Sequence, residues 1–337
     1  MKRNDHIIVT STDCPDLFVW NTNTQPNRPY DDIHRNAAPN SADAVLAGFD
    51  GNADFALDTS ADGLYVVSGS RDKRVMIWDV QSMLSKSANT RTNNQTKIHP
   101  SFQSELKHSK THSDAAIGVC FNPVESARFA SIGDDKKLLL WDTRHRNTAV
   151  QIVDAAHRES EICCIDWCGA PHNHLLATGG KDGSTTVWDI RMFSESCSSN
   201  NSPRLLDDCC RNLHPLDFEA TCVQFGRLEL DRPLLAASHY DGSVIIYDLS
   251  RSSNDGNKDT GLSSMVIRHC GHTGPIEDIH WHPTQPWTMA SISSEEGGGS
   301  SLQVYRIHDF CFRSAEDIMS ELRTAEIETT RSLSEAS

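Results

Sequence analysis

At 337 residues the chain is long enough to bury a large core as one domain, and 37% hydrophobic with only 7% aromatic residues suits many short strands and turns. No apolar run approaches the ~18 residues of a membrane span, and no charged-then-apolar leader follows Met1, so neither a membrane role nor a secretory route is expected. A formal net charge of −15 argues against direct nucleic-acid binding, which needs a basic face; it favours cationic partners, or else serves solubility alone.

In chain order, six short β-branched or aliphatic runs close on an aromatic residue: Trp20, Trp78, Trp141, Trp188, Tyr247 and Tyr305. These closures step by 58, 63, 47, 59 and 58 residues, a repeat that predicts an all-β propeller of four-stranded blades. The first unit, 7–48, offers strands at 7–9 and 17–20 and an outer strand at 45–47, but no inner strand. Four complete units follow, with inner strands starting near Phe55, Ile117, Ile162 and Thr221. The last unit, 272–307, has strands at 276–281, 288–292 and 302–307 and no outer strand. Two incomplete ends imply that the chain is the C-terminal part of a longer protein, because an open sheet edge exposes unpaired backbone groups.

Six residues before four of the closing aromatics stands an Asp in a tight polar turn: Asp72, Asp135, Asp182 and Asp241. About thirty residues before a closing aromatic stands His112, His157, His214 or His272, while Gly48-Phe49 takes that place in the second unit. Ser68, Ser131 and Thr178 stand where a hydroxyl would complete a buried network of His, Asp and Trp. These histidines therefore read as structural rather than catalytic or metal-binding. The eleven cysteines are odd in number and lie mostly within strand-like runs, so they read as buried free thiols. Cys163, Cys164, Cys168, Cys209 and Cys210 lack the paired loop spacing of a zinc site, and no cofactor is expected.

Three stretches rich in Ser, Asn and Thr, 81–101, 194–204 and 250–264, read as long surface loops, and 295–301 as a flexible insertion in the last unit. The propeller is expected to occupy 1–312, with a C-terminal helix and tail over 313–337. Ser314 with Asp317 marks the helix start, and Ile318, Leu322 and Ala325 form an apolar stripe that packs on the rim.

Several strings are more specific than a generic repeat: Leu139-Leu140-Trp141-Asp142-Thr143-Arg144, Leu176-Ala177-Thr178-Gly179-Gly180, Gly271-His272-Thr273 and the Trp281–Trp287 turn. With them the chain resembles the histone-binding WD40-repeat family of retinoblastoma-associated and chromatin-assembly-factor subunits, a seven-bladed family. It is most similar to the plant branch tied to flowering time and cold response, through Asp16-Leu17-Phe18-Val19-Trp20, Gln25-Pro26-Asn27-Arg28, 52–57 and the 297–299 insertion.

The resemblance implies a non-enzymatic nuclear scaffold acting in transcriptional repression, with histones H3 and H4 and subunits of histone deacetylase, Polycomb-type or nucleosome-assembly complexes as partners. A histone-tail face would fall at Asn52, Asp54, Glu161 and Glu219, although Ile117-Gly118 replaces an expected acidic pair. A groove for the first helix of H4 would draw on Asp255, Asp259, Phe310 and Phe312. The N-terminal helix that the family adds to that groove is expected to be missing from the sequence as it stands. The alternative is a substrate receptor that docks on a cullin-ligase adaptor through two Trp-Asp-x-Arg motifs, Trp141-Asp142-Thr143-Arg144 and Trp188-Asp189-Ile190-Arg191. No nucleophile elbow, phosphate loop or metal motif accompanies them.

Overall fold

The computed structural model describes residues 6–12, 14–23, 42–51, 56–80, 96–104, 111–145, 147–157, 159–193, 210–213, 217–226, 232–250, 264–295 and 298–307. These form six small sheets, here blades A to F. Blade A holds β1 (Ile7–Thr10), β2 (Leu17–Asn21) and β3 (Ala44–Leu46); blade B holds β4 (Leu57–Thr59), β5 (Tyr65–Gly69) and β6 (Val75–Asp79). β7 (Thr96–Ile98) and β8 (Phe102–Gln103) follow, and β8 completes blade B. Blade C comprises β9 (Ala116–Phe121), β10 (Arg128–Gly133), β11 (Leu138–Asp142) and β12 (Gln151–Val153). Blade D comprises β13 (Ile162–Trp167), β14 (Leu175–Gly180), β15 (Thr185–Asp189) and β16 (Cys210–Asn212). Blade E comprises β17 (Ala220–Phe225), β18 (Leu234–His239), β19 (Val244–Asp248) and β20 (Met265–His269). Blade F has three strands, β21 (Ile276–Trp281), β22 (Thr288–Glu295) and β23 (Gly299–Arg306).

The third strands of blades B to E read as unbroken apolar runs because these blades are covered on both faces. In β11, Leu139 and Trp141 pack toward blade B while Leu138 and Leu140 pack toward blade D. Phe129 and Trp141 stack with centroids 5.6 Å apart and planes 1° apart. Among the described residues, five buried clusters lie between successive blades, from A–B to E–F, and none joins F to A. The outer face of blade F accordingly leaves Leu302 64% and Val304 66% exposed.

Polar side chains fasten neighbouring blades at the inner strands. Asp58 Oδ2 accepts the Phe121 N–H at 2.7 Å, Asp166 Oδ2 the Phe225 N–H at 2.6 Å, and Gln224 Oε1 the Trp281 N–H at 2.8 Å. Each polar residue satisfies a donor on the next blade's first strand, so removing it would leave a backbone N–H unpaired.

The structure departs from the sequence reading in two places. Residues 96–98, expected within a loop, form β7, which pairs parallel to β3 (Ala44↔Thr96) and makes blade A four-stranded; the strand read as outermost at 45–47 is its third. Glu295 and 299–301, expected as a flexible insertion, are strand residues of a long hairpin whose pairing runs to Glu295↔Gly299. Residues 313–337, and with them the expected C-terminal helix, lie outside the described residues.

Candidate functional site

The repeat histidines are accounted for by buried hydrogen bonding. In blade C, His112 Nδ1 lies 2.9 Å from Asp135 Oδ1 and Nε2 2.7 Å from Ser131 Oγ, which also accepts from Trp141 Nε1 at 2.8 Å. Burial pushes the Asp135 carboxyl up, but the His112 bond and two backbone N–H groups outweigh it and hold the acid below its usual range. Blade D repeats the pattern, with His157 Nε2 and Trp188 Nε1 both on Thr178 Oγ1 at 2.7 and 2.8 Å. There His157 Nδ1 meets Ser184 Oγ at 2.7 Å and Asp182 Oδ1 at 3.4 Å. In blade F, His272 lies between Ser291 Oγ (2.6 Å) and Ser301 Oγ (3.0 Å), without an Asp.

Among the described residues, blades A, B and E do not show the network; in blade A Trp20 Nε1 donates to Thr10 Oγ1 at 3.0 Å. Blade B has no His, so Ser68 Oγ donates instead to the Ala56 carbonyl at 2.6 Å and Trp78 Nε1 to the Ala47 carbonyl at 3.2 Å. Asp72 there binds the Arg74 guanidinium and the Asp50 N–H. In blade E, Asp241 accepts from Ser243 and from Arg268 Nη2 at 2.6 Å.

Blade E also replaces a glycine that blades C and D keep. A Cβ on Gly180 would come within 2.4 Å of His157 Nδ1, and one on Gly133 within 2.7 Å of His112 Nδ1, so glycine keeps the histidine slot open. The equivalent position is His239, fully buried, with both ring nitrogens lacking a hydrogen-bond partner. Burial drives its pKa down to about 4, against an upward pull from Asp241. His214 lies outside the described residues.

The candidate tail-binding residues sit where the inner hairpins begin. One backbone bond recurs there in successive blades: Asp134 N to Ala115 O, Lys181 N to Glu161 O, Tyr240 N to Glu219 O and Ser294 N to Pro275 O. The residues of each pair are therefore cross-strand neighbours. In blade D the pair is ionic, Lys181 Nζ lying 3.2 Å from Glu161 Oε2. Glu219 is half-buried and accepts from Cys163 Sγ across the blade boundary at 3.3 Å. Burial, reinforced by Glu219, pushes the Cys163 thiol up to about 12, so it stays protonated and donates. Asp134 is raised first by burial and then by the charges of Asp114, Glu161 and Asp135, a sign of crowded negative charge at this end.

Of the residues the sequence assigned to this face, Glu161 and Glu219 are brought together, Ile117 packs into the blade C–D core, and Asn52 and Asp54 lie outside the described residues. So do Asp255, Asp259, Phe310 and Phe312. Sequence reasoning missed Lys181, Cys163 and Tyr240, whose positions beside the two acids follow from strand register. Among the described residues, no group of three His, Cys, Asp or Glu side chains could hold a metal ion.

The Trp-Asp-x-Arg motifs lie at the opposite end of the blades, where β10 starts and β11 ends (Arg128↔Asp142). Trp141 and Trp188 are core residues. Asp142 takes a bidentate fork from Arg144, with Nε at 2.8 Å and Nη2 at 2.5 Å, and that guanidinium pulls its carboxyl down to about 2. Asp189 takes the same fork from Arg191, at 2.9 and 2.5 Å. Each Arg thus pairs within its own blade while remaining solvent-exposed.

A family model described as "WD domain, G-beta repeat" matches residues 45–79 and 150–189. Over 338 residues the chain is 29% identical to the WD-40 repeat-containing protein MSI4 of Arabidopsis thaliana. That match covers 96% of this chain and 63% of the relative, so the chain spans less than two thirds of that protein's length. The first finding supports WD40 repeats in this chain, and the second a likeness to a plant WD-40 repeat protein.

Proposed function

We propose that this WD40-repeat protein is a non-enzymatic, nuclear scaffold that binds histone tails at the acidic end of its blades. The observation that carries the reading is Glu219: a half-buried carboxylate whose donor is a neutral thiol, beside the Glu161–Lys181 pair and within a chain of net charge −15. A Lys or Arg side chain entering there would replace a weak S–H bond with a charge-assisted one, and the overall field would speed its approach. Service in histone deacetylase, Polycomb-type or nucleosome-assembly complexes, and transcriptional repression through them, rests on the family resemblance. So does a groove for the H4 helix at Asp255, Asp259, Phe310 and Phe312.

Calorimetry of the purified chain with H3-tail and H4 first-helix peptides at two salt concentrations tests this reading. Salt-sensitive binding of the H3 tail is expected, because its contacts are ionic. A folded sample that binds neither peptide would overturn it and bring forward the second reading, a ubiquitin-ligase receptor, for which the exposed Arg144 and Arg191 are the supporting observation.

A further inference from the structure

The repeat makes the acidic end comparable blade by blade. Where blade D sets Lys181 opposite Glu161, blade E sets Tyr240 opposite Glu219 through the same backbone bond, 2.9 Å long in both. Blade D thus gives its acid a cation in direct contact, whereas the residue across the strand from Glu219 is an uncharged aromatic and the Lys181 charge reaches Glu219 only from the next blade. That ring is 57% exposed, and Phe218, next to Glu219 in the chain, is 47% exposed. They are the only large aromatic side chains among the exposed hydrophobics of the described residues; Tyr240 stands across the strand from Glu219 and Phe218 precedes it in the chain. Arg268, a nearby cation, is held by Asp241 at 2.6 Å.

Exposed aromatic faces carry negative quadrupole density and attract ammonium and guanidinium groups. Beside a carboxylate whose cross-strand neighbour is aromatic, they describe a seat for one cation. We propose that Tyr240 and Phe218 form, with Glu219, a subsite that takes a single Lys or Arg side chain of an extended basic peptide. The rings contact the alkyl stem and cationic head, and Glu219 pairs with the charge. This subsite deepens the histone-tail reading and rests on it. It predicts an unequal face: Glu219 is the anchor, while Glu161, already paired with Lys181, contributes little.

The test is titration of the full chain with two probes, an H3-tail peptide and an unrelated peptide of equal length and positive charge. Wild type is compared with Tyr240→Leu, Tyr240→Phe, Phe218→Leu, Glu219→Gln and Glu161→Gln, each checked for an unchanged melting temperature. Tyr240→Leu and Phe218→Leu should each weaken the H3 peptide about three- to tenfold, and Tyr240→Phe should restore most of the loss. Glu219→Gln should weaken it about tenfold and Glu161→Gln less than twofold. Binding that is unchanged by the leucine variants, or equal losses from the two glutamines, overturns the subsite. Equal affinity of wild type for both peptides overturns the histone reading alone, and no binding of either overturns both.

Discussion

The same serine position serves two different environments, so one substitution made twice tests the physical account of the blades. Ser131→Ala in blade C removes a hydroxyl that accepts from Trp141 Nε1 at 2.8 Å and lies 2.7 Å from His112 Nε2. With the His112 proton on Nδ1, facing Asp135 at 2.9 Å, the hydroxyl donates to Nε2. Its loss strands an indole N–H and an imidazole nitrogen in a buried site. At roughly 1–3 kcal/mol for each stranded group, partly relieved by relaxation, the cost is about 2–5 kcal/mol. Ser68→Ala in blade B removes one bond to the Ala56 carbonyl, which still accepts from the Gly69 N–H at 3.2 Å, so about 1 kcal/mol is expected. Urea denaturation of the two variants and wild type, analysed by linear extrapolation, measures the difference. Equal costs, or a larger loss from Ser68→Ala, would refute the assignment of the network to blade C and its absence from blade B.

Acid should find the blade E histidine first. His239 titrates near 4 when folded, against 6.5 when unfolded, so its contribution is complete above about pH 6.5 and is lost as pH falls toward 4. That amounts to about 3 kcal/mol across the window, and His239→Leu should flatten stability there. Asp182, held near 2 because bonds from His157 and Ser184 outweigh the burial that would raise it, adds a second limb. Its stability is present above 3.8 and lost as pH falls to 2, and Asp182→Asn should remove that limb from a melting-temperature profile. Asp166→Ala leaves the Phe225 N–H of the next blade without its acceptor and should cost about 1–3 kcal/mol, read by urea denaturation. Arg144→Ala with Arg191→Ala removes two solvent-exposed forks and should leave the chain folded and histone binding intact. Co-purification of a cullin-ligase adaptor that disappears in this double variant would support the second reading, and unaltered recovery would sink it.

The third strands and the networks of blades C and D were legible in the sequence because two-sided burial writes unbroken apolar runs, and a buried Trp writes its hydroxyl partner at a fixed offset. His239 was not legible: it stands where glycine opens the slot elsewhere, and only the distance from Gly180 to His157 explains the exchange. The fasteners Asp58, Asp166 and Gln224 escaped notice because each partner lies in another blade, 57 to 63 positions away. β7 also escaped, since three residues within a polar stretch carry no period and gain strand structure only by pairing with β3. On the candidate face both acids were named from the sequence, but their different surroundings depend on Lys181 and Tyr240, which only register sets opposite them.

The central claim, that basic tails bind at the acidic end of the blades, is tested most directly by hydrogen exchange of the chain with and without a saturating H3-tail peptide. The account predicts slowed exchange over 159–164, 181–184, 217–222 and 239–242, with the Trp-Asp-x-Arg end at 142–145 and 189–192 unchanged. Protection confined to that opposite end, or to the outer strands, would contradict it.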